Sequence, residues 1–132
     1  MPSITRVIRP QVLGFDHVVL RVADIERSLS FYSERLGLDT MRAEAWRRGE
    51  VPFPSVRVSP TTIIDLVASG GEIAGETNMD HFCLVVEPCD FAAMAADFDV
   101  VDGPGQRFGA QGMATSLYVR DPDDNVVELR YY

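Results

Sequence analysis

Asp16-His17-Val18-Val19-Leu20-Arg21-Val22 and Asp80-His81-Phe82-Cys83-Leu84-Val85-Val86 decide how this 132-residue chain is read. The Asp-His pair, the Leu three residues after the His and the closing Val recur 64 residues apart, with His at 17 and 81. A second pair of segments, Ile63-Ile64-Asp65-Leu66 and Val126-Val127-Glu128-Leu129, recurs at a spacing of 63, between Asp65 and Glu128. Each half therefore holds one apolar strand that opens on His and a later apolar strand that carries a carboxylate. Four positions in register across both halves indicate a duplicated module.

The segments between these strands agree in type. Asp24 caps a helix with Glu26 in its first turn, and Ile25, Leu29, Tyr32 and Leu36 form its apolar stripe, closed by Gly37. Asp90 caps a shorter helix whose stripe is Phe91, Met94, Ala95 and Phe98. Strands are expected over roughly 41–48, 53–58 and 62–68, then 100–108, 114–120 and 125–131. The fold class is thus α+β, with two tandem βαβββ modules over 14–70 and 78–132 in a single domain, 14–132. Gly70-Gly71 through Asn78 links them, and Asp121-Pro122-Asp123-Asp124-Asn125 is a tight turn. Residues 1–13 form an N-terminal extension in which Pro10 discourages a helix.

Composition narrows the function. Twelve Lys and Arg against 20 Asp and Glu leave a net charge of −8, which argues against nucleic acid and anionic membrane surfaces as partners. No apolar run is long enough to span a bilayer. The opening Met-Pro-Ser-Ile-Thr-Arg lacks an apolar export segment, and Cys83 and Cys89 make no disulfide framework, so a cytoplasmic location is expected.

Strand parity sorts the chemistry. Val18, Leu20 and Val22, Phe82, Leu84 and Val86, Ile64 and Leu66, and Val127 and Leu129 form the cleaner apolar faces, which pack under the helices. His17, His81, Asp65 and Glu128 then share the opposite face, together with Ser55 and Arg57, Ser116 and Tyr118, and Arg130. These His are the only two in the chain. Two imidazoles with one or two carboxylates suit a divalent Mn, Fe, Co, Ni or Zn ion, and leave two or three positions for a small substrate. Arg57, Arg107 and Arg130, with Ser116 and Tyr118, are candidates to contact that substrate. The Gly-rich stretch from Gly103 to Gly112 lacks the Lys of a phosphate loop and reads as a lid or a hairpin connection. Trp46 and Cys83 are read as packing residues.

With Asp16-His17, the run from Asp24 to Leu38, Asp80-His81 and Arg120 to Glu128, the chain resembles the vicinal oxygen chelate superfamily over about 14–132. That group includes glyoxalase I, extradiol dioxygenases and bleomycin-resistance proteins. The stretch from Asp102 to Arg120 is similar to small glyoxalase-domain-containing protein 5-like, virulence-associated members. The resemblance implies a U-shaped, barrel-like sheet with helices outside, one divalent metal ion per site and a homodimer. By position it implies His17, His81 and Glu128 as the metal triad and Asp65 as a fourth ligand, one methylene shorter than the glyoxalase glutamate. The expected chemistry is that of a glyoxalase-type lyase or isomerase, in which a substrate chelates through two neighbouring oxygens and Glu128 or Asp65 moves a carbon-bound proton. The alternatives are an extradiol-type Fe(II) dioxygenase and a metal-free ligand-sequestering protein.

Overall fold

The computed structural model describes residues 9–70, 78–120 and 126–132. Eight strands form one sheet: β1 (Val12–Val22), β2 (Asp39–Met41), β3 (Ser55–Ser59), β4 (Thr62–Ala68), β5 (Met79–Val86), β6 (Val100–Gly109), β7 (Gly112–Arg120) and β8 (Val126–Tyr131). Their order, β2-β3-β4-β1-β5-β8-β7-β6, shows the duplication directly. In each half the first strand lies parallel to the last, β1 to β4 and β5 to β8, and the two first strands pair antiparallel at the centre. The sheet is not closed. It curls far enough for the Arg57 guanidinium to donate to the Ala110 carbonyl at 2.9 Å, linking β3 to the β6–β7 turn.

The helices cover the apolar face, as parity requires. Helix α1 (Ile25–Ser30) starts where the Asp24 carboxylate accepts from the Arg27 amide at 3.1 Å, and α3 (Phe91–Met94) where Asp90 accepts from Ala93 at 3.1 Å. Ile25 and Leu29 pack with Val56 and Leu66 in one cluster, and Phe91 and Met94 with Val86, Leu117 and Leu129 in the other. Each such fully buried side chain contributes about 1.5–3 kcal/mol of transfer free energy. Trp46 lies against the first cluster, a packing role.

Two expectations are corrected. The strand expected over 41–48 is β2 followed by a short helix, α2 (Ala43–Arg47). Ala-Glu-Ala-Trp-Arg contains no β-branched residue, and Glu44 pairs with Arg47 one turn on, so local preference is helical. The apolar stripe of the first helix fails at Leu36, which is 55% exposed. Residues Phe31–Arg35 form a π-turn in which the Leu36 amide bonds the Phe31 carbonyl at 3.2 Å, and the extra residue per turn rotates Leu36 off the stripe. Gly37, at φ +74°, still ends the helix. The stretch Gly103–Gly112 takes the second of its two expected forms, the end of a paired β6–β7 hairpin, in register to Gly109 and Gly112. Strand β1 also begins at Val12, two residues inside the expected extension. The expected turn 121–125 and nearly all of the linker lie outside the described residues.

Candidate metal centre

Sheet register assembles the site. Across the central strands His17 pairs with Cys83, and Cys83 with Glu128, while one step along Asp65 pairs with Val19, and Val19 with His81. Two adjacent rows on one sheet face therefore carry all four side chains. His17 Nε2 lies 2.9 Å from Glu128 Oε1, His81 Nε2 lies 3.0 Å from the same oxygen, and the two Nε2 atoms are 3.3 Å apart. Asp65 Oδ2 stands back, 3.9 Å from His17 Nε2.

Both imidazoles are oriented from behind. His17 Nδ1 is 2.7 Å from Asp16 Oδ2, and His81 Nδ1 is 2.7 Å from Asp80 Oδ1. In each central strand that Asp is the extra residue of a bulge. Phe15 and His17 face Leu84 and Cys83, leaving Asp16 over, and His81 and Met79 face Val19 and Leu20, leaving Asp80 over. The bulge lets two successive side chains reach the same site, which strict alternation forbids.

With Nδ1–H donated to a carboxylate, each neutral imidazole presents the lone pair of Nε2 to the site. Two such nitrogens and a carboxylate oxygen at 2.9–3.3 Å repel one another unless positive charge lies among them. Metal–nitrogen bonds of about 2.0–2.1 Å set at right angles end about 3 Å apart, so the spacing fits a divalent ion. The N,N,O donor set suits Mn, Fe, Co, Ni or Zn.

Without an ion the same positive charge is carried by protons on Nε2, which a divalent ion displaces as it binds. Burial depresses the His17 pKa, but Asp16 and Glu128 outweigh it and push it up to about 9. For His81 burial is likewise outweighed, by Glu128 and Asp80, and its pKa is raised. Burial works to raise the Glu128 carboxyl, yet hydrogen bonds from His17, His81 and Ser116 hold it far below the carboxylate range. Asp65 differs, because burial prevails over His17 and Ser55 and its pKa is raised. Serine hydroxyls fix both carboxylates: Ser55 donates to Asp65 Oδ1 at 2.5 Å and Ser116 to Glu128 Oε2 at 2.8 Å.

His17, Asp65 and His81 form the floor of a cavity of about 370 Å³, walled by Val19, Phe53, Phe108 and Tyr118. Of the expected substrate contacts, Tyr118 and Arg107 line this cavity, although Arg107 is engaged by Asp102 at 2.9 Å. The other three have different roles. Arg57 donates to the carbonyls of Ser59, Pro60 and Ala110. Ser116 is fully buried under Glu128. Arg130 is also fully buried, donating to Glu128 and to the carbonyls of Arg107, Phe108 and Gly112. Each bonds to the protein rather than facing the cavity.

Sequence reasoning missed two contributors. Tyr132 donates to Asp16 Oδ1 at 2.5 Å, completing a chain from the last residue to His17. Arg42 lines the cavity from the first module. The repeated Asp before each His was a visible signal for the orienting carboxylates, whereas no pattern marks Tyr132 or Arg42. Asp16, His17 and Cys83 also lie close enough to share an ion, but Asp16 is saturated by His17, Tyr132 and the Ala110 amide. Burial drives the Cys83 thiol pKa far up, leaving it a packing group.

Residues 14–129 match the family model of the Glyoxalase/Bleomycin resistance protein/Dioxygenase superfamily. The chain is 31% identical to the glyoxalase domain-containing protein RDO1 of Mycosarcoma maydis, over 92% of this chain and 69% of that one. It is 28% identical to the virulence protein STM3117 of Salmonella typhimurium, over 89% and 83% of the two chains. Among solved structures, the Mn(II)-bound glyoxalase from Novosphingobium aromaticivorans shares the fold at a TM-score of 0.64 and 15% identity, over 93% of this chain and 40% of that one. The duplicated sheet and the family match together establish that this chain belongs to the Glyoxalase/Bleomycin resistance protein/Dioxygenase superfamily.

Proposed function

We propose that this chain is a metal-dependent enzyme that holds one divalent ion on His17, His81 and Glu128 and moves a carbon-bound proton of a small substrate. The observation that carries this reading is the convergence of three lone-pair atoms within 3.3 Å, with both imidazoles turned by carboxylates behind them. The Mn(II) in the structural neighbour agrees with it. The bound ion supplies Lewis-acid stabilisation of negative charge on two neighbouring substrate oxygens.

The division of labour among the carboxylates follows from their surroundings. Glu128 is fully buried and satisfied by Ser116 and Arg130, so it holds its charge and serves as a ligand. Asp65 faces the cavity with Oδ2 set 3.9 Å back from His17 Nε2, where a carboxylate outside the ligand triad can reach a substrate proton. Asp65 is therefore assigned the base, and Ser55 fixes one of its oxygens so that the other points at the substrate. Tyr118 keeps its proton, because burial and the Glu128 charge raise its pKa, and it offers a hydrogen bond from the wall.

The test is turnover of a methylglyoxal–thiol hemithioacetal by protein loaded in turn with Mn, Co, Ni and Zn. Asp65→Asn is expected to retain the metal and to lose turnover by about 10²–10⁴-fold, the range of a general base. Oxygen uptake with catechols under Fe(II), without isomerisation, would replace this reading by the dioxygenase. Failure of any divalent ion to bind would leave the sequestering role.

A further inference from the structure

We propose that Arg42 is the anion anchor of the cavity, so that the substrate carries an anionic group in addition to the two oxygens that meet the metal. This deepens the metal-chelate reading and rests on it. Three independent observations converge on the residue. Its guanidinium lies over the Phe108 ring, 4.0 Å from the centroid, and 5.3 Å from that of Phe53, so two aromatic rings hold it at the cavity wall. Among the described residues Arg42 Nη1 is buried without a hydrogen-bond partner, a state that Arg130 Nε shares away from the cavity. Arg47, Arg48, Arg107, Arg120 and Arg130 each pair with a carboxylate, whereas no carboxylate among the described residues pairs with Arg42. A buried cationic donor left unsatisfied costs free energy that a bound anion recovers.

The third observation is backbone conformation. Arg42 is the one non-glycine among the described residues with positive φ, at +63°. A long side chain in the left-handed region is uncommon, and such residues cluster at ligand clamps. Here the conformation sets the side chain of the first module against Phe108 of the second, on the wall of the cavity whose floor holds His17 and His81. A planar guanidinium matches a carboxylate through paired N–H···O bonds. Arg107, the other cation of the wall, is already neutralised by Asp102. The substrate class is therefore a small anionic molecule with vicinal oxygens at one end and a carboxylate at the other.

The experiment compares two probes of similar shape, 3,4-dihydroxybenzoate and 4-methylcatechol, by calorimetric titration of the full chain with and without Zn(II). The native Zn(II) protein is expected to prefer the charged probe by about 10-fold or more. In Arg42→Met that preference falls to about 2-fold or less, while Zn(II) and 4-methylcatechol bind as before. Arg42→Gly is the second variant, because glycine accepts the left-handed backbone and so preserves the fold. No preference in the native protein, a preference that survives both variants, or parallel weakening of both probes would overturn the assignment. If Zn(II) changes the affinity of neither probe, the metal reading fails instead. The charge preference and its loss in the two variants are then judged by the same criteria in metal-free protein.

Discussion

His17 and His81 occupy equivalent places in the two modules, but their orienting carboxylates are not equivalent. Asp16 is fully buried and accepts from His17, Tyr132 and the Ala110 amide, whereas Asp80 is about half exposed beside the cavity. A buried acceptor held by three partners fixes its imidazole more firmly than one that also hydrates. Asp16→Asn is accordingly expected to weaken metal binding by about 10–100-fold. The change for Asp80→Asn is smaller, and competition against a chelating dye measures both. Equal losses would remove the distinction. The four candidate ligands were legible in the sequence because imidazole and carboxylate recur at matched positions. The part played by Asp16 was only half legible: alternation puts it on the face opposite His17, and the bulge that turns it inward is a property of the paired strands.

At the scale of elements, the β6–β7 hairpin supports the site rather than covering it. Gly109 ends β6 where an added Cβ would lie 2.4 Å from Arg130 Cζ and 2.7 Å from Asp16 Oδ2. Arg130 cannot swing aside, because Glu128 and three backbone carbonyls hold its guanidinium inside the protein. Gly109→Ala is therefore expected to destabilise by about 1–3 kcal/mol, the usual cost of overpacking a filled interior. Urea unfolding monitored by circular dichroism tests this, and an unchanged midpoint would count against it. The helix caps at Asp24 and Asp90 and the long strands were readable from local pattern. Helix α2 and the π-turn were not, since five-residue segments carry too little periodicity to show which state tertiary contacts select.

For the whole molecule, the ligands come from both modules, His17 from the first and His81 and Glu128 from the second, on strands joined through the β1–β5 pair. An ion that binds only this assembled site stabilises both modules together. At a free concentration about 100 times Kd the gain is about 2.7 kcal/mol, which for a domain of this size raises Tm by on the order of 10 °C. Calorimetry is expected to show one cooperative transition moving upward with metal. Two transitions, of which only one shifts, would mean that the modules unfold separately. By itself the sequence determined the duplication, the α+β class, the division of strand faces and the identity of the four candidate ligands, because these follow from residue type and the two-residue period of a strand. The tertiary structure alone decided that Asp65 stands 3.9 Å back from His17 and that Arg57, Ser116 and Arg130 bond to the protein instead of lining the cavity. It also decided that Arg42 faces the cavity. Those outcomes depend on the curl of the sheet and on which buried groups find partners, and both are settled by contacts between residues far apart in the chain.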